Sequence, residues 1–148
     1  MRTYPYLRAY LAGVFLPTLI LPLLLVVFIV ARVVMELPVP IEQGMIFPMA
    51  VVPLLWGLWN MGWLWLHGRS SMQIGLHGAI LPLVLAPLGG ETAHALGVLQ
   101  FGATGATWFH MVTAPYAAIV PCFLAALAGY YLVWKYLVGF LNRVLGIG

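Results

Sequence analysis

The chain has 148 residues, 64% of them hydrophobic and only 6% charged, with a mean hydropathy of +1.07. A soluble domain carries about a quarter charged residues, so this composition excludes a globule that covers itself with a water-facing surface. The net charge of +3 comes from six cationic residues scattered between apolar runs rather than gathered on one face, which excludes a nucleic-acid partner as the meaning of that charge.

One helical crossing of a bilayer takes roughly 20 apolar residues. The expectation is therefore a single integral membrane domain over 1–148 with four crossings and no separate soluble domain. The first apolar run, Leu11 to Ala31, has Thr18 as its only polar residue. It is longer than the core of a signal peptide, and no small-x-small cleavage site follows before "MELPVPIEQG". It reads as a retained helix at about 10–34, bent at Pro17 or Pro22, where each ring removes a backbone donor. Arg32 and Glu36 stand four apart and are expected to pair at its end, and Pro38 and Pro40 close it.

The second crossing, about 45–66, holds four of the six tryptophans within ten residues, Trp56 to Trp65. Trp63 and Trp65 fall where an aromatic belt meets the interface. Trp56, Asn60, Trp63 and His67 are spaced four, three and four apart, which draws one stripe along a single helix face. An asparagine in hydrocarbon needs a partner on a neighbouring helix, a contact worth roughly 0.6 to 2 kcal/mol. Trp56, Asn60 and Trp63 are thus assigned to packing, facing the bundle interior or a partner subunit. The turn "HGRSSMQ" follows.

The third crossing, about 73–90, is the weakest. Its apolar run, Ile74 to Leu88, contains His77, Pro82 and Pro87 and must borrow Gln73 or the Gly89–Gly90 pair to span; a re-entrant segment is the alternative. The stretch 91–110 is expected to lie at the interface, as a short helix from Glu91 to Phe101 and then a Gly/Thr loop. The fourth crossing covers about 112–136. Along it Ala114, Ala118, Cys122, Ala125 or Ala126, and Gly129 make a small-residue face suited to close helix packing.

Four crossings with an inside N-terminus put Arg2, Arg8, Arg69, Lys135 and Arg143 in the cytoplasm and only Arg32 outside, as the positive-inside rule requires. A three-crossing arrangement would split them. The predicted fold class is therefore all-α, a polytopic membrane helix bundle with four transmembrane helices, N-in and C-in, in a bacterial inner (plasma) membrane.

Candidate chemistry is sparse. His67 and His77 flank the polar turn and form a candidate two-ligand site for a haem or pigment, although the expectation is that no cofactor is held. His94 with Glu91 is a weak i, i+3 metal pair, and "FGATGATW" (Phe101 to Trp108) offers carbonyls and hydroxyls in the manner of an ion filter. Cys122, the only cysteine, excludes a disulfide within this sequence and any metal motif with two thiolates. No nucleophile stands with a base, and no phosphate loop or paired carboxylates occur, so no catalytic residues are assigned and an enzyme is not expected. The leading expectation is a non-catalytic subunit that packs against partner subunits of a larger membrane complex, an energy-transducing one being the kind considered first. The alternatives are a homo-oligomeric transporter or channel using Asn60, His77 and the Gly/Thr loop, and an electron-transfer subunit holding a haem or pigment through His67 and His77.

Overall fold

A computed structural model describes residues 4–147. The apolar runs fold as α1 (Pro5–Val33), α2 (Ile41–His67), α3 (Ile74–Ala95) and α4 (Tyr116–Leu132). A π-helical segment, Val133–Val138, carries α4 directly into α5 (Gly139–Val144). Three short strands stand between α3 and α4: β1 (Leu99–Phe101), β2 (Gly105–Trp108) and β3 (Val112–Pro115). The chain is mostly helical, and four helices, counting Tyr116–Val144 as one, are long and apolar enough to cross a membrane.

Several boundaries differ from the sequence reading. Helix α1 contains Pro17 and Pro22 and begins at Pro5, ahead of the expected start near residue 10. Helix α3 does not stop at Gly89–Gly90 but continues to Ala95, giving 22 residues. That corresponds to about 33 Å, the length of a full crossing. It ends in a Schellman motif: Gly97 sits at φ +71, its N–H donates to the His94 carbonyl, and the Val98 N–H donates to the Ala93 carbonyl. Glycine adopts this left-handed geometry at no steric cost. The interfacial helix expected over Glu91–Phe101 is therefore replaced by the last turn of α3 and by β1. The Gly/Thr stretch is not a loop either, because β2 pairs antiparallel with β1 on one side and β3 on the other.

The expected Arg32–Glu36 pair does not form. Glu36 lies beyond the end of α1 at φ +54, off the helical spacing that the pairing needs. Arg32 Nη1 instead donates to Glu42 Oε1 at 2.7 Å, across to the first turn of α2. Both side chains are exposed, and an exposed pair contributes about 0–1 kcal/mol.

Close helix contacts are made by glycine. A Cβ on Gly13 would run into the Trp56 carbonyl and the Gly57 backbone, and one on Gly57 would enter the Tyr10 ring. Helices α1 and α2 therefore cross backbone to backbone, as small residues allow. Gly78 does the same for α3, since its missing side chain is the space that the Trp134 ring occupies. The core gathers around these points. Trp56, Leu81, Leu85, Trp134 and Val138 form its main cluster, and Ala9, Trp63 and Ile147 a second one where the two ends of the chain meet. There Arg8 Nη1 donates to the Leu145 carbonyl at 3.3 Å.

At the opposite end the β2–β3 hairpin turns through Phe109 and His110, at φ 54 and 57. The turn is closed by Met111 N–H donating to the Trp108 carbonyl. Two central residues at positive φ are the signature of a type I′ turn, which favours Asn-Gly. A left-handed L-residue costs about 1–2 kcal/mol, and glycine gives back about 0.5–1 kcal/mol of that in backbone entropy. His110→Gly is thus expected to raise stability by about 0.5–1 kcal/mol, seen as a small rise in Tm in detergent; a lower Tm would mean that the His110 contact with Gln100 matters more than the turn.

Candidate functional site

The polar side chains buried within the bundle converge on α2. Asn60 is fully buried and Asn142 is 1% exposed. Asn60 Nδ2 donates to the Ala9 carbonyl of α1 at 2.8 Å and to Asn142 Oδ1 of α5 at 2.8 Å. Asn142 Nδ2 returns a bond to Asn60 Oδ1 at 3.1 Å. One reciprocal amide pair thus fastens the start of α1, the C-terminal half of α2 and α5. The 0.6–2 kcal/mol typical of polar contacts between membrane helices is reached here through three bonds shared by two residues.

From the adjacent residue of α2, α2 and α3 are joined by a second reciprocal contact. Trp59 Nε1 donates to the His77 carbonyl at 2.8 Å, and His77 Nε2 lies 2.9 Å from the Trp59 carbonyl. A carbonyl only accepts, so Nε2 carries the proton. The two rings stack at 5.0 Å, and Trp134 meets the other side of the imidazole edge-on at 6.0 Å. Among the described residues the indole N–H groups of Trp63 and Trp134 are buried with no acceptor within hydrogen-bond distance, while the Trp56 indole lies against Tyr130, ring centres 5.2 Å apart.

Comparison with family models, with curated proteins and with solved structures gives no match. Function must be read from these residues alone.

The sequence stripe is divided by depth. Trp56, Asn60 and Trp63 are buried as their spacing implied, whereas His67 at the helix end is exposed and stacks on Trp63 at 4.7 Å. Trp63 is therefore not a belt residue: at 6% exposure it packs with Ala9 and Ile147. Trp65 is 51% exposed, with the Arg69 guanidinium 4.2 Å from its ring centre.

His67 and His77 are not brought together. His77 is bonded at the level of Trp59, eight residues and about 12 Å along α2 from His67, too far to share a metal whose bonds to nitrogen are about 2 Å. His94 gives its Nδ1 to the Leu99 carbonyl at 3.0 Å, and Gln100 Nε2 donates to His110 Nδ1 at 3.2 Å. Among the described residues no three His, Cys, Asp or Glu side chains stand where one metal ion could bind them.

The filter reading of "FGATGATW" also fails. Phe101 and Gly105–Trp108 are paired in the sheet, the Gly102 and Thr104 carbonyls accept from the Tyr116 hydroxyl and N–H, and Thr107 Oγ1 faces Thr113 Oγ1 at 2.9 Å. Ala114 belongs to β3, paired with Ala106, and so leaves the small-residue face. The rest of that face, Ala118, Cys122, Ala125, Ala126 and Gly129, is exposed, and no residue of α4 is buried. Helix α4 meets α3 with the opposite side, through Phe123, Leu127 and Tyr130, which are half-buried.

Sequence reasoning misses Asn142 because it ends the fourth crossing at 136. The usable signal is that the asparagine in "LVGFLNRVLGIG" is flanked by apolar residues and lies on the same helical repeat as Trp134 and Val138.

Proposed function

We propose that this chain is a non-catalytic integral membrane subunit that docks through the outer face of α4 against partner subunits of a larger, energy-transducing membrane complex. The observation that carries this reading is that α4 turns Ala118, Cys122, Ala125, Ala126 and Gly129 away from its own bundle. A Cβ placed on Gly129 would meet nothing within 4 Å. Small residues lower the distance at which two membrane helices can pack, and the chain's own helices make no use of them here.

In this reading the bundle is N-in and C-in in a bacterial inner membrane. Supporting it, the start of α1, the end of α2 and the end of α5 share one end through Arg8, Trp63 and Ile147. Arg8, Arg69, Lys135 and Arg143 belong to that end, while Arg32 and Glu42 pair at the other. Lysine and arginine mark the cytoplasmic side.

The test is native mass spectrometry after mild-detergent extraction from the protein's own membranes. The wild type is expected to carry unlike polypeptides. The triple variant Ala118→Leu, Ala125→Leu, Gly129→Leu is expected to lose them with its own Tm unchanged, because all three positions are exposed. Oxidative cross-linking at Cys122, exposed on the same face, supplies the opposing outcome: two copies joined through it, with no unlike partner, would replace the complex reading by self-association.

A further inference from the structure

The end of the bundle remote from the amide pair is hollow. A chamber of about 600 Å³ lies beneath the β-sheet, walled by Phe28 of α1, Phe47 of α2, Leu85 and Ala93 of α3, and Ile119 of α4, with Ala106 of β2 above. Its size falls within the range of ligand-binding pockets, about 300–1,000 Å³. Glycine keeps it open. Gly44 and Gly89 line it without side chains, and a Cβ at either would stand 3.1 Å from the Phe109 or Phe47 ring respectively.

From this chamber we infer that the protein binds one acyl chain of a membrane phospholipid; the inference rests on the membrane reading above but not on the complex. No charged side chain lines the walls, so an ion or a charged solute finds no counter-charge. The lining side chains with nitrogen or oxygen atoms are Gln43, Trp108 and Tyr116, all exposed, and Tyr116 already donates its hydroxyl to the Gly102 carbonyl at 2.9 Å. Water would lack the two to four partners it needs in such a space. Hydrocarbon is what the walls match.

Its source follows from the helix arrangement. Helix α1 packs along α2 and α4 along α3, whereas α1 and α4, which contribute Phe28 and Ile119 to the walls, share no packed seam that would close the chamber between them. On a bundle of membrane-crossing helices that side is the acyl-chain region. Tryptophan and tyrosine favour headgroup level, and Trp108 and Tyr116 are placed to leave the glycerol and headgroup outside while a chain enters. The wall on the α1–α2 side is held by Phe109, which sits at positive φ with its ring 6.4 Å from Phe28, edge to face. A bulky residue held in that conformation is costly and tends to mark a functional position.

The experiment reconstitutes the full chain in vesicles of phosphatidylcholine carrying a diazirine on one acyl chain, then irradiates and maps adducts by peptide mass spectrometry. Adducts are expected on Phe47, Leu85 and Ala93 as well as on the exposed α4 residues Val120 and Leu124. Ala86→Phe and Ala93→Phe, each filling the chamber from α3, are expected to cut the chamber adducts severalfold and leave those on α4 unchanged. Adducts on α4 with none on the walls would overturn the inference, as would wall adducts indifferent to both variants. Wall labelling by a diazirine fatty acid but not by the phospholipid would overturn the phospholipid as occupant. Absence of adducts on Val120 and Leu124 as well would overturn the membrane reading itself.

Discussion

Asn60→Leu is expected to lower the stability of the bundle by about 2–3 kcal/mol, read as a fall of several degrees in Tm in detergent. The leucine removes both donors of Asn60 and its acceptor, so Asn142 and the Ala9 carbonyl lose their partner in a buried setting. An orphaned buried polar group costs about 1–3 kcal/mol, whereas replacing both partners by apolar groups can be nearly neutral. The double variant Asn60→Leu, Asn142→Leu is therefore expected to lose less than the sum of the two single variants. That non-additivity is the measurement that identifies the pair as a unit. Strictly additive losses would mean that each amide acts through separate contacts, and the clasp between α2 and α5 would have to be abandoned.

Gly13→Leu is expected to have a comparable effect by a different route. At this position the obstruction is the carbonyl of Trp56 and the backbone of Gly57, not the movable end of a side chain. Relief requires α1 and α2 to separate. Overpacking of this kind costs about 1–3 kcal/mol and occasionally more. Separation would also weaken the Ala9–Asn60 bond one turn earlier on α1, so Gly13→Leu and Asn60→Leu are expected to be sub-additive. Even Gly13→Ala should lower Tm. An unchanged Tm would show that the two helices can slide to accept a Cβ and that their close approach contributes little.

The four long helices can be recognised in the sequence because hydropathy is a property of composition over a window and survives ignorance of tertiary structure. The inward direction of Trp56, Asn60 and Trp63 likewise follows from spacing alone. Depth does not: periodicity assigns a residue to a face but not to a level, which is why Trp63 reads as a belt residue and His77 as a neighbour of His67 until the helices are packed. Nor can the partner of Asn60 be found from its own helix, since Asn142 lies far along the chain and its approach depends on how α5 is aimed. The β-sheet is hidden because "GATGAT" has no alternation of apolar and polar residues; its strands are specified by Gly97, which ends α3, and by pairing partners that only the folded chain supplies.

The π-helical segment Val133–Val138 bears on which changes of chain length this protein can accept. Its i to i+5 bonding fits roughly one residue more into a turn than an α-helix holds. Each residue of an α-helix advances about 100° around the axis, so a helix of ordinary pitch throughout would swing Asn142 away from Asn60. The wide turn absorbs the surplus and lets one continuous helix present an outward face before it and an inward amide after it. Loss of the exposed Tyr136 is accordingly the deletion most easily tolerated, since it returns the turn to ordinary pitch with Asn142 still aimed inward. The same loss at Phe140, beyond the segment, would put the last turn out of phase and release the C-terminal end of the chain.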